Sequence, residues 1–328
     1  MSLASVTVSR LIRGSVIAAA LLSSMAHAEE GVVARIGVLM PLGGDRVFEV
    51  ALAEGLSALG YVEGKNLTFY WRRYEQSSEA IRSAAAELVQ SRVDVIVVNG
   101  TQAARAVLSE TSTTPVVFLS ADPIRAGLAT SLAHPGANAT GVSGQSPGLM
   151  AKRLQLLLQI APRTRGVTLL VNPDSPLHPA FLEETQKGAH TLGMRVATLN
   201  ARNPNELDTA LRGIQRHAGD AFVISPDTLF LVNKGKIAAA MRRAKLPAIT
   251  TTKDYQGDGV LMSYGTSLNW MGRRAAGYAD KILRGAKPAD LPIEQASKID
   301  LIIDLRVARE LGLKVPQELL FRADEVIR

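Results

Sequence analysis

Short, strongly apolar runs alternate along the chain with longer stretches in which apolar residues recur every three or four positions. The short runs are typical of buried strands, and the longer stretches have the period of an amphipathic helix. In the first part of the chain this pattern predicts strands over 34–40, 66–72, 93–98, 115–120 and 140–145, and helices over 47–59, 79–91 and 103–111.

The same alternation then starts again. It predicts strands over 166–172, 194–200, 220–225, 246–251 and 259–265, and helices over 149–160, 181–192, 205–217 and 232–244. Because alternating strands and helices form parallel sheets through right-handed crossovers, two such series predict an α/β protein with two doubly wound, Rossmann-like lobes. The last pieces, a helix over 269–284, an extended segment over 293–305 and a short helix over 306–313, are too few to bury a core of their own. We expect them to complete the two lobes, so the chain passes between the lobes more than once.

Small and polar residues follow most of the predicted strands. In open α/β sheets, ligands bind beyond the carboxyl ends of the strands, and two lobes with such loops facing each other form a cleft. The run VNGTQAARAV (98–107) shows the pattern well, because a buried strand ends at Asn99 and helix-forming residues start at Ala103. The candidate ligand-binding residues at these strand ends are Met40, Pro41, Leu42, Gly43, Asn99, Gly100, Thr101, Gln102, Ser120, Asp122, Asn172, Ser175, Ser225, Asp227, Thr252 and Tyr264.

Composition excludes several classes of protein. The 328-residue chain has 37 Lys and Arg against 30 Asp and Glu, a formal net charge of +7. The basic residues are scattered, in runs no longer than pairs such as Arg242–Arg243, so the sequence indicates no nucleic-acid partner. The chain has no cysteine, which excludes disulfides, thiolate metal sites and a cysteine nucleophile.

The first 28 residues have the three-part pattern of a secretory signal peptide. Arg10 and Arg13 precede a mostly apolar stretch over 14–25, and the sequence AHA follows at 26–28. The apolar stretch is well short of the ~20 residues that a membrane-spanning helix needs. We therefore predict cleavage after Ala28 and a mature protein in the periplasm. No later segment of the sequence is long and apolar enough to span a membrane.

The sequence contains no complete motif for catalysis or for cofactor binding. GQSPG at 144–148 matches the G-x-S-x-G nucleophile elbow, but the residue after the serine is Pro147, which has no N–H for an oxyanion hole. The first strand is not followed by G-x-G-x-x-G, no G-K-[ST] occurs, and the five histidines lack metal-ligand spacing. We expect no cofactor, no metal and no catalytic residue.

The sequence leaves two interpretations open for four acidic residues near strand ends and for four aromatic residues. Four acids can stabilise turns or converge as paired carboxylates, and four aromatic residues can stack against a ligand or pack in the core. The acids are Asp122, Asp174, Asp227 and Asp254. The aromatic residues are Phe118, Phe230, Tyr255 and Tyr264. His178 can likewise contact a ligand or lie at the surface.

Three stretches carry a resemblance to a known family: SLAHPGANATGVSG (131–144), LIIDLRVARELGLKVPQELLFRADEVI (301–327) and NGTQAARAV (99–107). They are similar to the ABC transporter substrate-binding proteins, a family that includes tryptophan- and tyrosine-binding members. The resemblance implies the type I periplasmic binding protein fold, two lobes joined by three crossovers. It implies hinges near Gly141–Ser143, Tyr264–Thr266 and Leu291–Pro292. One lobe would then span 32–142 plus 267–291, and the other 143–266 plus 292–328.

The resemblance also implies a function. The protein would be a monomeric periplasmic receptor that hands a small ligand to an ABC permease in the inner membrane. Thr101 and Gln102 would donate to a ligand carboxylate, since a helix start favours an anion, and Asp227 would take an ammonium group. Gln102 stands where family members often carry proline, so the contacts there are expected to differ. A ligand sensor for a membrane receptor and a two-lobed periplasmic enzyme remain as alternatives.

Overall fold

The computed structural model describes residues 33–43, 46–75, 77–144, 146–214, 220–255 and 257–328. The predicted signal peptide over 1–28 lies outside these residues. In the described part the chain forms two sheets, each flanked by helices. The two-lobed α/β architecture expected from the sequence is confirmed.

The first lobe is built on an all-parallel sheet of six strands. The strands are β1 (Ala34–Pro41), β2 (Leu67–Tyr74), β3 (Val95–Asn99), β4 (Val116–Ser120), β5 (Ala139–Ser143) and β11 (Glu294–Gln295). They lie in the order β11-β5-β4-β3-β1-β2. The helices of this lobe are α1 (Val47–Ala58), α2 (Ser78–Gln90), α3 (Thr101–Glu110) and α9 (Leu268–Leu283).

The inner strands of this sheet are buried on both faces, which explains why they are apolar without alternation. Successive residues of a strand point to opposite faces. Val95 and Val97 of β3 belong to the core that α1 and α9 complete, whereas Ile96 and Val98 belong to the core beneath α2 and α3. α1 and α9 cross closely at Gly272, where an added Cβ would lie 2.7 Å from the Phe48 carbonyl oxygen.

The second lobe is built on a sheet of seven strands. The strands are β6 (Gly166–Val171), β7 (Arg195–Asn200), β8 (Asp220–Ile224), β9 (Ala248–Thr250), β10 (Met262–Thr266), β12 (Ile299–Asp304) and β13 (Glu325–Ile327). Their order is β13-β12-β10-β9-β8-β6-β7, and β12 runs antiparallel to β10. The helices are α4 (Met150–Ile160), α5 (His178–Thr191), α6 (Pro204–Arg212), α7 (Thr228–Val232), α8 (Lys234–Ala244), α10 (Leu305–Glu310) and α11 (Gln317–Arg322).

The third crossover lies further along the chain than the sequence analysis places it. The expected boundary put every residue from 292 onward in the second lobe, but β11 pairs in parallel with β5 of the first sheet. The Ala296 N–H also donates to the Ser143 carbonyl oxygen at 2.8 Å. The crossing therefore falls between β11 and β12. Ser143 itself pairs with Ser120 and stays in the first lobe.

One buried guanidinium ties two of the crossovers together. Arg153 of α4 has no exposed surface. Its Nε donates to the Tyr264 carbonyl oxygen at 2.8 Å, and a terminal nitrogen donates to the Ser146 carbonyl oxygen at 2.6 Å. Ser146 follows the first crossover and Tyr264 precedes the second. Burial lowers the pKa of the Arg153 guanidinium to about 9, so the group remains charged at neutral pH.

We expect Arg153→Lys to lower the free energy of unfolding by about 2–4 kcal/mol. An ammonium keeps the buried charge but cannot reach all three oxygens that the guanidinium binds, which include Ser146 Oγ at 3.1 Å. Urea denaturation followed by circular dichroism measures the difference. Arg163→Lys, at an exposed position, is the control and should stay within about 0.5 kcal/mol. Equal stability of the two variants would show that the guanidinium does not stabilise the crossovers.

Candidate functional site

A cavity of about 180 Å³ lies between the two lobes. The ends of β1, β3 and β4 wall it on one side, and the loops after β6, β8 and β9 wall it on the other. One buried water needs about 10–15 Å³ of such space, so the cavity holds roughly a dozen water-sized groups. That is room for a small organic molecule.

Gly100 fixes the point at which α3 begins. Its φ is +119°, and an added Cβ would lie 2.6 Å from the Tyr74 hydroxyl oxygen, so only glycine fits. Since Gly100 offers no side-chain cap, the first N–H groups of α3 are left uncapped by it. Gly100, Thr101 and Gln102 all line the cavity. The positive end of the α3 dipole therefore lies at the cavity wall.

Two hydroxyl groups stand beside this helix start. The hydroxyls of Thr101 and Ser120 lie 2.9 Å apart, and either of them can donate. Both residues line the cavity. Since one hydrogen serves the bond between them, the other can be directed at a ligand oxygen. Together with the helix start they form a wall suited to an anionic group.

Asp227 lies on the opposite wall. Its Oδ1 accepts from the Leu229 N–H at 2.8 Å, and this cap starts α7 at Thr228, where the sequence analysis expected a loop. Its Oδ2 accepts from the Asn172 amide at 3.2 Å. Burial raises the pKa of Asp227 to about 6, against the lowering effect of these two hydrogen bonds. A buried carboxylate of this kind is suited to a cationic group.

Side-chain contacts among the described residues join the two lobes. In the cavity wall, the Gln102 amide of the first lobe donates to Asp227 Oδ2 of the second at 3.5 Å. Outside the cavity, Arg125 Nη1 of the first lobe lies 3.2 Å from Glu183 Oε2 of the second. The lobes are thus closed on each other, and the amide that distinguishes Gln102 from a proline takes part.

The structure brings ten of the sixteen predicted site residues to the cavity wall. They are Met40, Pro41, Asn99, Gly100, Thr101, Gln102, Ser120, Ser175, Asp227 and Thr252. The six that it does not place there are Leu42, Gly43, Asp122, Asn172, Ser225 and Tyr264.

Local hydrogen bonds and solvent exposure explain three of these exceptions. Leu42 and Gly43 form the exposed turn after β1, and the Leu42 side chain points to solvent. The Asp122 carboxylate accepts from the Arg125 N–H at 3.0 Å and stabilises its own turn.

The other three exceptions are held behind the wall. The Ser225 hydroxyl donates to the Leu170 carbonyl oxygen at 2.7 Å, which turns it back into the sheet. The Tyr264 side chain packs against the core of the molecule. Asn172 supports Asp227 from behind, so it acts through the carboxylate rather than on the cavity.

The structure shows which of the candidate aromatic residues, acids and His178 lie at the cavity and which do not. Phe118 and Phe230 are fully buried in the core, whereas Tyr255 lines the cavity. Asp174 is largely exposed and lies 3.5 Å from Arg202, so it does not converge with Asp227 and Asp254, which both line the cavity. The His178 side chain lies outside the cavity wall, with Nδ1 buried and unpaired among the described residues. Burial lowers the pKa of that imidazole.

Sequence reasoning missed the apolar part of the wall. Phe48 comes from the first turn of α1, and Leu268 and Met271 come from the first turn of α9. α9 follows the second crossover, so its start reaches the cavity from a part of the chain far from the strand-end loops. The three-residue spacing of Leu268 and Met271 predicts that they share one face of a helix. The spacing alone does not show that this face reaches the cavity.

The described residues offer no group of three or more His, Cys, Asp or Glu that could hold a metal ion. Within the same part of the chain, no helix has both the length and the apolar character needed to cross a membrane.

Comparison with known proteins gives consistent matches over almost the whole chain. Residues 35–327 match the model of a family described as ABC transporter substrate binding protein. A tyrosine-binding protein of Clostridioides difficile is 21% identical over 262 residues, which are 80% of this chain and 75% of that protein.

Two solved structures share the fold. A conserved domain protein of Vibrio cholerae aligns with a TM-score of 0.83 and 27% identity, over 90% of this chain and 99% of its own. An ABC domain of Streptococcus pneumoniae in complex with L-Trp aligns with a TM-score of 0.82 and 24% identity, over the same shares.

We expect Asp227→Asn to raise the free energy of unfolding at pH 7 by about 1–2 kcal/mol in the absence of ligand. The pKa of Asp227 rises from an ordinary 3.8 to about 6 on folding, so the folded protein holds a proton that the unfolded chain loses. Stability therefore falls as pH rises from about 4 to about 6 and stays level above that. The asparagine keeps the cap on Leu229 and escapes this cost, but its amide nitrogen cannot accept from the Asn172 amide as Oδ2 does, which offsets part of the gain.

Urea denaturation at pH 4 and pH 7 tests this expectation, and the gain should shrink towards zero at pH 4. Asp174→Asn, at an exposed carboxylate, is the matched control and should change stability by less than about 0.5 kcal/mol. An Asp227→Asn variant that is less stable than the parent at pH 7 would contradict the expected cost of burying the carboxylate.

Proposed function

Because the chain belongs to the ABC transporter substrate binding protein family, we propose that it is the solute receptor of an importer. It captures an amino acid in the cavity between its lobes and delivers it to a permease in the membrane. Family membership supports the binding of a substrate. The class of ligand rests on the cavity itself.

One observation carries the choice of an amino acid: the two walls of the cavity have opposite polarity at close range. The α3 start with Thr101 and Ser120 favours an anion, and Asp227 favours a cation. The Gln102 side chain spans the gap and reaches Asp227 Oδ2 at 3.5 Å. An α-amino acid, whose carboxylate and ammonium are attached to one carbon atom, suits a short gap of this kind, and each charge then meets its complement.

The apolar part of the wall supports a ligand with a sizeable side chain. Met40, Leu119, Leu231, Leu268 and Met271 contribute hydrocarbon surface to the cavity. Methionine and leucine side chains adapt to flat or branched apolar groups. The relatives named as binding tyrosine and L-Trp are consistent with a large amino acid here.

Binding and closure are coupled in this proposal. A ligand whose carboxylate binds the first lobe and whose ammonium binds the second stabilises the closed arrangement over the open one. The crossovers around Arg153 are the hinge. The permease then receives the closed form, with the rims of both lobes presented together.

We propose that the ligand is held without chemical change. In the G-x-S-x-G match, the Ser146 hydroxyl accepts from the Arg153 guanidinium at 3.1 Å, which makes it a part of the hinge. In this proposal the function depends on hinge motion between the lobes and not on nucleophilic catalysis by Ser146.

The proposal places the protein in the periplasm as a monomer. The signal-peptide pattern over 1–28 supports export. Both walls of the cavity come from one chain, so a single copy suffices to bind.

Isothermal titration calorimetry with the twenty L-amino acids tests the ligand class, and we expect at least one to bind with a Kd in the micromolar range or below. Thr101→Leu should weaken that binding at least tenfold, because the larger side chain blocks the anion wall and removes a hydroxyl. Thr113→Leu, at an exposed position past the end of α3, is the matched control. Unchanged affinity in Thr101→Leu would remove this loop from the site, and turnover of a bound compound would overturn the receptor function.

Binding should weaken in acid, because protonation of Asp227 removes the charge that takes the ammonium. With the pKa of Asp227 at about 6, affinity at pH 5 should be about tenfold lower than at pH 7. Titrations at the two pH values measure the ratio. Asp227→Asn should bind weakly at both, with little difference between them. Equal affinity of the parent protein at pH 5 and pH 7 would contradict the assignment of Asp227 to an ammonium group.

A further inference from the structure

Two hydroxyl groups in the wall of the second lobe have no hydrogen-bond partner. They are Thr251 Oγ1 and the Tyr255 hydroxyl, unpaired among the described residues. The two residues are 4% and 3% exposed, and both line the cavity. A buried hydroxyl without a partner destabilises the protein, because it has given up its hydrogen bonds to water. Two such groups on one cavity wall indicate a partner beyond the described residues.

The sheet order shows where these hydroxyls lie relative to Asp227. Thr251 and Tyr255 follow β9, and β9 lies between β8, which leads to Asp227, and β10. β10 leads in turn into α9, whose Leu268 and Met271 form the apolar wall. The hydroxyls therefore follow the strand next to the one that leads to Asp227, and the carboxylate of Asp227 is close enough to influence the Tyr255 phenol. A ligand whose ammonium binds Asp227 would direct its side chain past them.

We propose that Thr251 and Tyr255 form a second polar subsite, which binds a hydrogen-bonding group on the side chain of the ligand. The protein then selects amino acids with a polar side-chain group over those of the same shape without one. This inference rests on the proposed function and narrows its substrate class.

The chemistry of the two hydroxyls fits either a donor or an acceptor on the ligand. Each hydroxyl can donate one hydrogen and accept others. The pKa of Tyr255 is raised well above its usual value by burial, with smaller contributions from the carboxylates of Asp254 and Asp227. The phenol therefore stays protonated and can donate at any physiological pH.

The expected selectivity is large. A ligand that leaves these hydroxyls unpaired loses the hydrogen bonds that water or a polar group would give them. Sites that hydrogen-bond a polar group of the substrate reject analogues lacking it far more strongly than apolar pockets reject an extra group. We expect at least a tenfold preference for the polar member of a matched pair.

Calorimetric titration with matched pairs tests the subsite. The pairs are L-tyrosine and L-phenylalanine, L-tryptophan and 1-naphthyl-L-alanine, L-asparagine and L-leucine, and L-threonine and L-valine. In the pair that contains the tightest ligand, the polar member should bind at least tenfold more tightly. Tyr255→Phe and Thr251→Val should each reduce that ratio to about threefold or less, through weaker binding of the polar member.

Thr250→Val is the matched control. Thr250 Oγ1 is also buried and unpaired among the described residues, but Thr250 does not line the cavity. Its removal should leave the selectivity unchanged. All three substitutions conserve shape and remove an unpaired hydroxyl, so thermal melts should show Tm values equal to or above that of the parent.

The outcomes distinguish this inference from the function on which it rests. Tight binding with equal or better affinity for the apolar members would overturn the polar subsite and leave the amino-acid receptor standing. A polar preference that survives both Tyr255→Phe and Thr251→Val would also overturn it. Binding of none of the eight probes would overturn the polar subsite, whereas the amino-acid receptor fails only when none of the twenty L-amino acids binds.

Discussion

A charged guanidinium without a carboxylate partner sits at the point where the chain passes between its two lobes. The Arg153 guanidinium donates hydrogen bonds to the carbonyl oxygens of Ser146 and Tyr264 and to the Ser146 hydroxyl. The Ser146 carbonyl lies past the end of β5, outside either sheet, so it needs a donor from elsewhere, and the Tyr264 carbonyl of β10 accepts from the same guanidinium. The planar fork of arginine supplies several donors from one side chain. Because Arg153 binds segments on both sides of this junction, it fixes the chain where it enters and leaves the second lobe.

The cavity is built at a cost to stability. Asp227 is buried enough to raise its pKa to about 6, and the hydroxyls of Thr251 and Tyr255 are buried without partners in the described chain. A core optimised for folding alone would replace all three with apolar or paired groups. Their concentration on one wall, opposite a helix start, is explained when a ligand supplies the missing partners. The polar atoms of these three residues thus lower the stability of the folded protein and, in the proposed receptor, contribute to ligand binding.

The order of apolar and polar runs predicts a good part of this architecture. Each buried strand ends in a small polar loop, and a parallel sheet brings those loops to one edge, so ten of the predicted residues reach the cavity wall. Periodicity could not show which way a strand-end side chain turns. Ser225 turns back to the Leu170 carbonyl and Asn172 turns behind Asp227, and both choices depend on neighbouring strands that are distant in sequence. The third crossover was misplaced for the same reason, since a two-residue strand is fixed by its pairing with β5 and not by its own pattern.

In the proposed receptor, the contact between Gln102 and Asp227 would serve both closure of the lobes and recognition of the ligand. At 3.5 Å the amide is a weak donor to the carboxylate, whereas an ammonium at the same place would form a charge-assisted hydrogen bond about twice as strong. The amide therefore stabilises the closed lobes only modestly and can be displaced by a cationic group. A stronger donor, such as an arginine, would neutralise Asp227 and compete with the ligand. A glutamine joins the lobes across the cavity while it leaves the charge of Asp227 available.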